Sequence, residues 1–294
     1  MNRPSLILLV GIPGSGKTTY AEKYIKEHLG TVHLSSDKIR AELWGNEATQ
    51  GDNNEVFSLM QSRAIEALNN GQNVVYDATN ITRKDRSYII TLCPKFAKIE
   101  CHIIWASIET CIERDAARER TVGKEVINKM LKRFQAPYYD EGIDEIKIIK
   151  PDDFNEYAYP YGNVMMKAMK IPHDNPHHTY DVYDHCMEAH KLTTLKTHDY
   201  FDDVCIAAQY HDIGKPYVKA FIDSKGNPCE IAHYYQHQCV GAWISYGMPS
   251  VTPYIAWLIS THMDPYLNTK YYNKLPVYLK KQVNLLHEAD KNAH

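Results

Sequence analysis

A chain of 294 residues is roughly twice the commonest domain size, long enough for two separate cores. Its formal net charge of −3 excludes a uniformly basic coat, so any contact with nucleic acid has to come from local basic clusters. Seven cysteines with no C-x-x-C spacing argue against a disulfide framework and a cysteine-type zinc site, which fits a reducing cytoplasm, and the first apolar run, residues 6–10, is too short for a signal peptide or a membrane span.

In chain order, residues 1–155 alternate short β-rich runs with helix-compatible stretches. The runs at 6–10, 31–34, 73–76, 99–105 and 146–149 predict a parallel sheet with crossover helices, an α/β domain. Between the first run and the first helix stands Gly11-Ile-Pro-Gly-Ser-Gly-Lys-Thr18, a match to G-x-x-x-x-G-K-[ST] in the strand–loop–helix context that motif needs. Its glycines let backbone N–H groups curl around a phosphate at a helix N-terminus. Lys17 supplies a point charge for the terminal phosphates of ATP, and the Thr18 hydroxyl is a ligand for Mg²⁺. The ATP-binding set is therefore Gly14, Ser15, Gly16, Lys17, Thr18 and Thr19.

After the second run, Ser35-Ser-Asp37-Lys-Ile-Arg40 places a carboxylate at the carboxyl edge of the sheet, where such folds assemble their sites. Asp37 is either a proton acceptor for an acceptor hydroxyl, with Arg40 one turn on to hold a phosphate, or merely the cap of a helix beginning at Lys38. Asp77, in Asp77-Ala-Thr-Asn80 at the end of the third run, is placed to orient Mg²⁺ or water. A helix–turn–helix stretch over 108–134 brings Arg114 and Arg118 to i, i+4 positions on one face, a candidate lid over the transferring phosphate; a solvated helix laced with ion pairs is the alternative.

In this order, the P-loop, Asp37-x-x-Arg40, Asp77-Ala-Thr-Asn80 and the arginine stretch resemble a bacteriophage-type polynucleotide 5′-kinase over about residues 5–150. The resemblance implies phosphoryl transfer from ATP to a 5′-hydroxyl of RNA or DNA. It makes Asp37 the general base and Arg40 the ligand of the acceptor's phosphate, with Arg114, Arg118 and Arg120 on the donor phosphates.

Residues 151–162 lose all periodicity and read as a linker, and a second domain is expected over 161–294. Twelve of the fifteen histidines lie after residue 150, whereas every arginine lies at or before Arg133. The second half reads as all-α. Its apolar stripes carry metal-capable side chains: His185 with Val182, Cys186 and Ala189; His211 with Val204, Ala207 and Ala208; His262 with Val251, Ile255, Leu258 and Ile259; Asp290 with Val283 and Leu286. One inward histidine is commonly a hydrogen-bonded core residue, but several converging with a carboxylate need neutralising, which a divalent transition metal would do. His173, His177, His190, His198 and His294 read as surface residues, and His178 as a cap or core residue.

His185, His211-Asp212-Ile-Gly-Lys215 and Asp290 resemble the signature of HD-superfamily metal-dependent phosphohydrolases over about residues 165–294. By that resemblance His185, His211, Asp212 and Asp290 are ligands for Mn²⁺, Ni²⁺, Co²⁺, Fe²⁺ or Zn²⁺. Lys215 assists at the substrate phosphate, and His237 and His262 extend the site toward a second metal. Joined, the two halves are expected to heal broken nucleic-acid ends in the cytoplasm, alongside a separate RNA ligase and with no membrane partner. The alternatives are a nucleotide or small-metabolite kinase fused to a nucleotidase, and an ATP-gated binding module without catalysis.

Overall fold

The computed structural model describes residues 3–47, 49, 51–151, 169–175, 179–199 and 202–293. The chain divides into two compact units, Met1–Met130 with Pro137–Pro151, and Leu131–Ala136 with Asp152–His294. The linker expected over 151–162 and the start of the second domain near Tyr161 fall almost wholly outside the described residues, as do His177, His178 and His294.

The first unit is built on five parallel strands, β1 (Ser5–Val10), β2 (Val32–Ser35), β3 (Val74–Asp77), β4 (Lys98–Ile104) and β5 (Glu145–Ile149), in the order β2-β3-β1-β4-β5. Each falls within one or two residues of its predicted run. Central strands buried on both faces read as continuous apolar runs, and Leu6 to Val10 are all fully buried. Helices α1 (Lys17–Glu27), α2 (Ser36–Trp44), α3 (Asn53–Asn69), α4 (Arg83–Leu92), α5 (Ile108–Ala116) and α6 (Lys124–Leu131) follow the strands or one another. The register Leu8↔Tyr76 between β1 and β3 and Ser35↔Asp77 between β2 and β3 brings the carboxyl ends of all three strands together, which is where the P-loop begins.

On β4, Glu100 is buried and bonded from several sides: His102 Nε2 lies 3.3 Å away, Lys147 Nζ donates at 2.9 Å and Ser5 Oγ at 3.1 Å. The hydrogen bond from His102, more than the lysines, holds its carboxyl far below the usual carboxylate range against the opposing effect of burial.

The second unit is mainly helical: α7 (Val182–Thr197), α8 (Asp203–Tyr210), α9 (Lys215–Val218), α10 (His237–Ser245), α11 (Pro253–Thr261), α12 (Asp264–Leu267), α13 (Thr269–Tyr272) and α14 (Val277–Asn292). It is not all-α, however. An antiparallel hairpin, β6 (Ala220–Ile222) and β7 (Pro228–His233), lies between α9 and α10. The signal was a turn, Asp223-Ser-Lys-Gly-Asn227, in which Gly226 takes φ +88° and Asn227 donates to the Asp223 carboxylate. Pro228 and the shortness of the runs hid the strands beside it.

The core of this unit gathers Trp243, Tyr246, Trp257 and the fully buried Phe134, whose ring meets Trp243 edge-on at 5.3 Å and Tyr246 at 6.1 Å. Among the described residues, no helix is long and apolar enough to cross a membrane.

Candidate functional sites

The P-loop turns on two left-handed glycines, Gly14 at φ +79° and Gly16 at φ +100°. At Gly14 space as well as dihedral angle demands glycine, because a Cβ there would stand 2.1 Å from the carbonyl oxygen of Cys111. Lys17 opens α1 and folds back over the loop, donating to the carbonyls of Gly11 at 2.9 Å and Ile12 at 3.0 Å. Burial pushes its ammonium pKa below the ordinary lysine range, while the carboxylates of Asp77 and Asp37 pull the other way. Asp37 is thus within electrostatic reach of Lys17.

Thr18 Oγ1 donates to Asp77 Oδ2 at 3.1 Å, and His33 Nε2 lies 3.2 Å from the same oxygen. These hydroxyl and carboxylate oxygens at the loop are the hard donors Mg²⁺ takes. Thr19 follows in the first turn of α1. Ser15 is buried, and its hydroxyl makes no hydrogen bond.

Asp37 does not cap α2. That role belongs to Ser35, which accepts from Lys38 N, and the helix begins at Ser36. The Asp37 side chain is 53% exposed, with Arg40 Nη1 2.8 Å and Arg120 Nη1 3.6 Å from its Oδ1. Arg40 is additionally bonded to Asn53 at 3.1 Å.

Arg114 lies near the end of α5, with Nη1 3.8 Å from where a Cβ on Gly16 would stand. The expected i, i+4 face is corrected for Arg118. The helix ends at Ala116, so Arg118 belongs to the following turn, though it is near enough to Lys17 to oppose its charge. Asp115 shapes that turn, since its carboxylate accepts from the backbone N–H groups of Val122 and Gly123.

Arg86 serves the fold rather than a ligand: fully buried, it grips Glu141 through Nε at 2.7 Å and Nη2 at 2.6 Å, and gives Nη1 to the carbonyl of Asn80. Asn80, left-handed at φ +46°, in turn donates to the carbonyl of Leu9, one residue short of the end of β1.

In the second unit, His185, His211, Asp212 and Asp290 come together, and Asp212 also joins His237 and His262. Asp212 Oδ2 stands 3.4 Å from Nε2 of His185 and 3.4 Å from Nε2 of His211, while its Oδ1 is 3.1 Å from His237 Nε2. Asp290 Oδ1 is 3.0 Å from His185 and 3.2 Å from His211. The carboxylate of Asp212 therefore bridges two groups of imidazoles. Gly214 makes this possible, because a Cβ there would meet the carbonyl oxygen of His237 at 2.1 Å; without one, the 211–215 segment lies against the start of α10.

The four imidazoles share one arrangement. Nδ1 of His185 faces the carbonyl of Ala293, that of His211 Ala208, that of His237 Tyr234 and that of His262 Ile259, all at 2.8–2.9 Å. A carbonyl only accepts, so each Nδ1 carries the proton and each Nε2 presents a lone pair to the cluster. Two such pairs face each other, His211 with His185 at 3.3 Å and His237 with His262 at 3.2 Å. Opposed lone pairs at that distance require a cation between them, either a proton or a metal ion.

As a proton site, His211 is opposed by its burial, which the carboxylates of Asp212 and Asp290 outweigh, so its pKa stands well above the ordinary value. Burial, with His237 and His211 beside it, drives His262 down to about 3. Imidazoles oriented by carbonyls around two carboxylates are a donor set that fits a divalent transition metal.

Lys215, itself buried, places Nζ 2.5 Å from Asp212 Oδ2. Two of the surface assignments fail. His173 is 2% exposed and His190 is 3% exposed. His190 is a core residue bonded to the carbonyl of Cys205 at 2.7 Å. His173 stands beside the cluster, with Nε2 3.2 Å from Lys215 Nζ and its ring centroid 5.5 Å from that of His185. No helical stripe advertised it, because it precedes α7 in an extended segment.

Residues 6–137 match a family model described as AAA domain. Three curated proteins are similar to part of the chain. Transcription factor bHLH140 of Arabidopsis thaliana is 25% identical over 50% of this chain and 16% of its own length. The 6-phosphofructo-2-kinase/fructose-2,6-bisphosphatase of Aquarana catesbeiana is 28% identical over 40% of this chain and 28% of its own. The bifunctional polynucleotide phosphatase/kinase of Schizosaccharomyces pombe is 28% identical over 48% and 32%. The chain thus spans less than a third of the length of each. A chain in the solved Pnkp1/Rnl/Hen1 RNA repair complex aligns at 23% identity and TM-score 0.42, over 45% of this chain and 44% of that one. Strand order, loop geometry and the family match make the first unit a P-loop domain built on a parallel sheet.

Proposed function

We propose that this chain heals nucleic-acid ends. Its first unit phosphorylates a 5′-hydroxyl of RNA or DNA from ATP, and its second hydrolyses a 2′,3′-cyclic phosphate or 3′-phosphate. The observation that carries the reading is the pairing, in one chain, of a P-loop whose Lys17 feels the carboxylate of an exposed, Arg40-paired Asp37 with an Asp212-centred imidazole cluster able to hold metal.

In the kinase unit, backbone N–H groups at the start of α1, together with Lys17, Arg114 and Arg118, hold the donor phosphates and meet the charge that develops on them. Arg40 binds the acceptor's phosphate. Asp37 Oδ accepts the hydroxyl proton as that oxygen attacks, and its exposure leaves room for a polymer end. Thr18 and Asp77 would hold Mg²⁺, which would supply positive charge against the phosphates.

In the second unit, His185, His211, Asp212 and Asp290 would hold the metal, with His237 and His262 available for a second ion. Such an ion would supply Lewis-acid activation of water and of a phosphoryl oxygen. The protein's own part is to keep every Nδ1 protonated on a backbone carbonyl, so that no Nε2 turns away, and to set the Lys215 ammonium where it meets a phosphoryl oxygen.

Mass spectrometry of one RNA bearing a 5′-hydroxyl and a 2′,3′-cyclic phosphate, incubated with ATP, Mg²⁺ and Mn²⁺, tests both halves. The expected result is a 5′-phosphate lost only in Lys17→Ala and removal of the cyclic phosphate lost only in Asp212→Ala. If neither end changes in the folded protein, the assignment to nucleic acid is wrong. A second reading, a small-metabolite kinase fused to a nucleotidase, draws on the similarity to 6-phosphofructo-2-kinase/fructose-2,6-bisphosphatase. Phosphorylation of fructose 6-phosphate in preference to the RNA would favour it.

A further inference from the structure

We propose that His173 is a positioning residue for Lys215: its Nε2 accepts one N–H of the ammonium while the Asp212 carboxylate pairs with the charge, which sets the direction in which the remaining N–H groups meet the substrate's phosphoryl oxygen. The proposal rests on the phosphohydrolase reading of the second unit. An ammonium rotates freely about its Cε–Nζ bond and beside a lone carboxylate has no fixed direction. Here an ion-pair partner and a hydrogen-bond acceptor on different segments flank it, Asp212 Oδ2 at 2.5 Å and His173 Nε2 at 3.2 Å, and the Tyr234 ring face lies 5.3 Å from Nζ.

The tautomer needed for this is set by the fold, because His173 Nδ1 donates to the carbonyl of Tyr180 at 2.8 Å, leaving Nε2 as an acceptor. The segment carrying His173 is tied at each neighbouring residue. Lys219 Nζ donates to the carbonyl of Pro172 at 2.6 Å, the Tyr234 hydroxyl donates to the carbonyl of His173, and Ala232 N donates to that of Asp174 at 2.9 Å. Lys219, just before the β6–β7 hairpin, Ala232 within it and Tyr234 just after it therefore hold the imidazole, and the imidazole holds the lysine.

Two measurements on the full chain test this. In ¹⁵N-histidine-labelled protein, His173 should appear as the Nδ1–H tautomer, and Lys215→Met should shift its Nε2 resonance. For hydrolysis of a nucleoside 2′,3′-cyclic phosphate, His173→Ala should lower kcat on the order of 10- to 100-fold with KM and metal content unchanged, and His173→Gln, which keeps an acceptor, should recover most of it. In a Lys215→Met background, His173→Ala should have no further effect on kcat. A protonated Nε2, a resonance blind to Lys215→Met, or an equal loss in both backgrounds overturns the positioning role while leaving the hydrolase reading intact. Absence of phosphoester turnover in the metal-loaded native protein overturns both.

Discussion

Replacing Arg86 by leucine should destabilise the first unit by about 3–5 kcal/mol, the penalty for breaking a buried ion pair from one side. The magnitude follows from the surroundings. Arg86 is fully buried and the Glu141 side chain is 2% exposed, so once the guanidinium is gone a carboxylate remains where water does not reach. The bidentate pair of hydrogen bonds and a third bond to the Asn80 carbonyl are lost together, leaving Glu141 with a longer ion pair to Arg83 at 3.6 Å and the Tyr138 N–H at 3.3 Å. Hydrogen exchange of amides in β1 and β3, read by mass spectrometry, isolates this unit from the other and should report opening easier by that amount. Because Asn80 is bonded to Leu9 just before the P-loop, KM for ATP should rise as well. The double variant Arg86→Leu with Glu141→Leu removes both charges and should recover most of the stability. A loss below about 1 kcal/mol, or strict additivity of the two substitutions, would refute the view that the buried pair is one coupled unit.

Gly14→Ala, which pushes a Cβ onto the Cys111 carbonyl from a left-handed backbone that itself disfavours a side chain by about 1–2 kcal/mol, should abolish phosphorylation in a kinase assay and spare phosphoester hydrolysis. Glu100 has a depressed folded pKa, so its stabilising effect is complete above the unfolded carboxylate pKa of about 4.3 and fades as pH falls toward the folded value. The urea midpoint of the native protein should therefore exceed that of Glu100→Gln at pH 7, with the gap narrowing below about pH 4; a gap that widens on acidification would reverse the sign of this argument. Mn²⁺ at 100 times its Kd should protect amides of α7 and α14 from exchange by about 2.7 kcal/mol, and chelation should remove that protection. Asp212→Asn should lose the response, and an undiminished response there would place the ion elsewhere.

Much of the first unit is legible in the sequence because its strands are buried on both faces and its loop chemistry is local. Leu6 to Val10 read as a strand with no knowledge of the rest, and Gly14, Gly16, Lys17 and Thr18 act within one turn. The second unit is legible only where helical periodicity reports burial, as for His185 and Asp290. His173 escapes because an extended segment has no stripe to betray its inward face, and its partner Lys215 lies 42 residues away. Arg118 is misjudged for the opposite reason. Its spacing from Arg114 is helical, but α5 stops at Ala116, where Asp115 turns its carboxylate to the backbone of Val122 and Gly123 and rewards a loop instead.

Leu131–Ala136 counts with the second unit, although the chain returns to the first for Pro137–Pro151. The polypeptide therefore changes allegiance three times rather than once, and no single cut separates the two units. A fragment ending at residue 151 would carry Phe134 away from Trp243 and Tyr246, leaving in the remainder a hole of aromatic size whose penalty is about 3–5 kcal/mol. Gene fusions, truncations or shuffling that treat the halves as beads on a string would then produce a weakened second half.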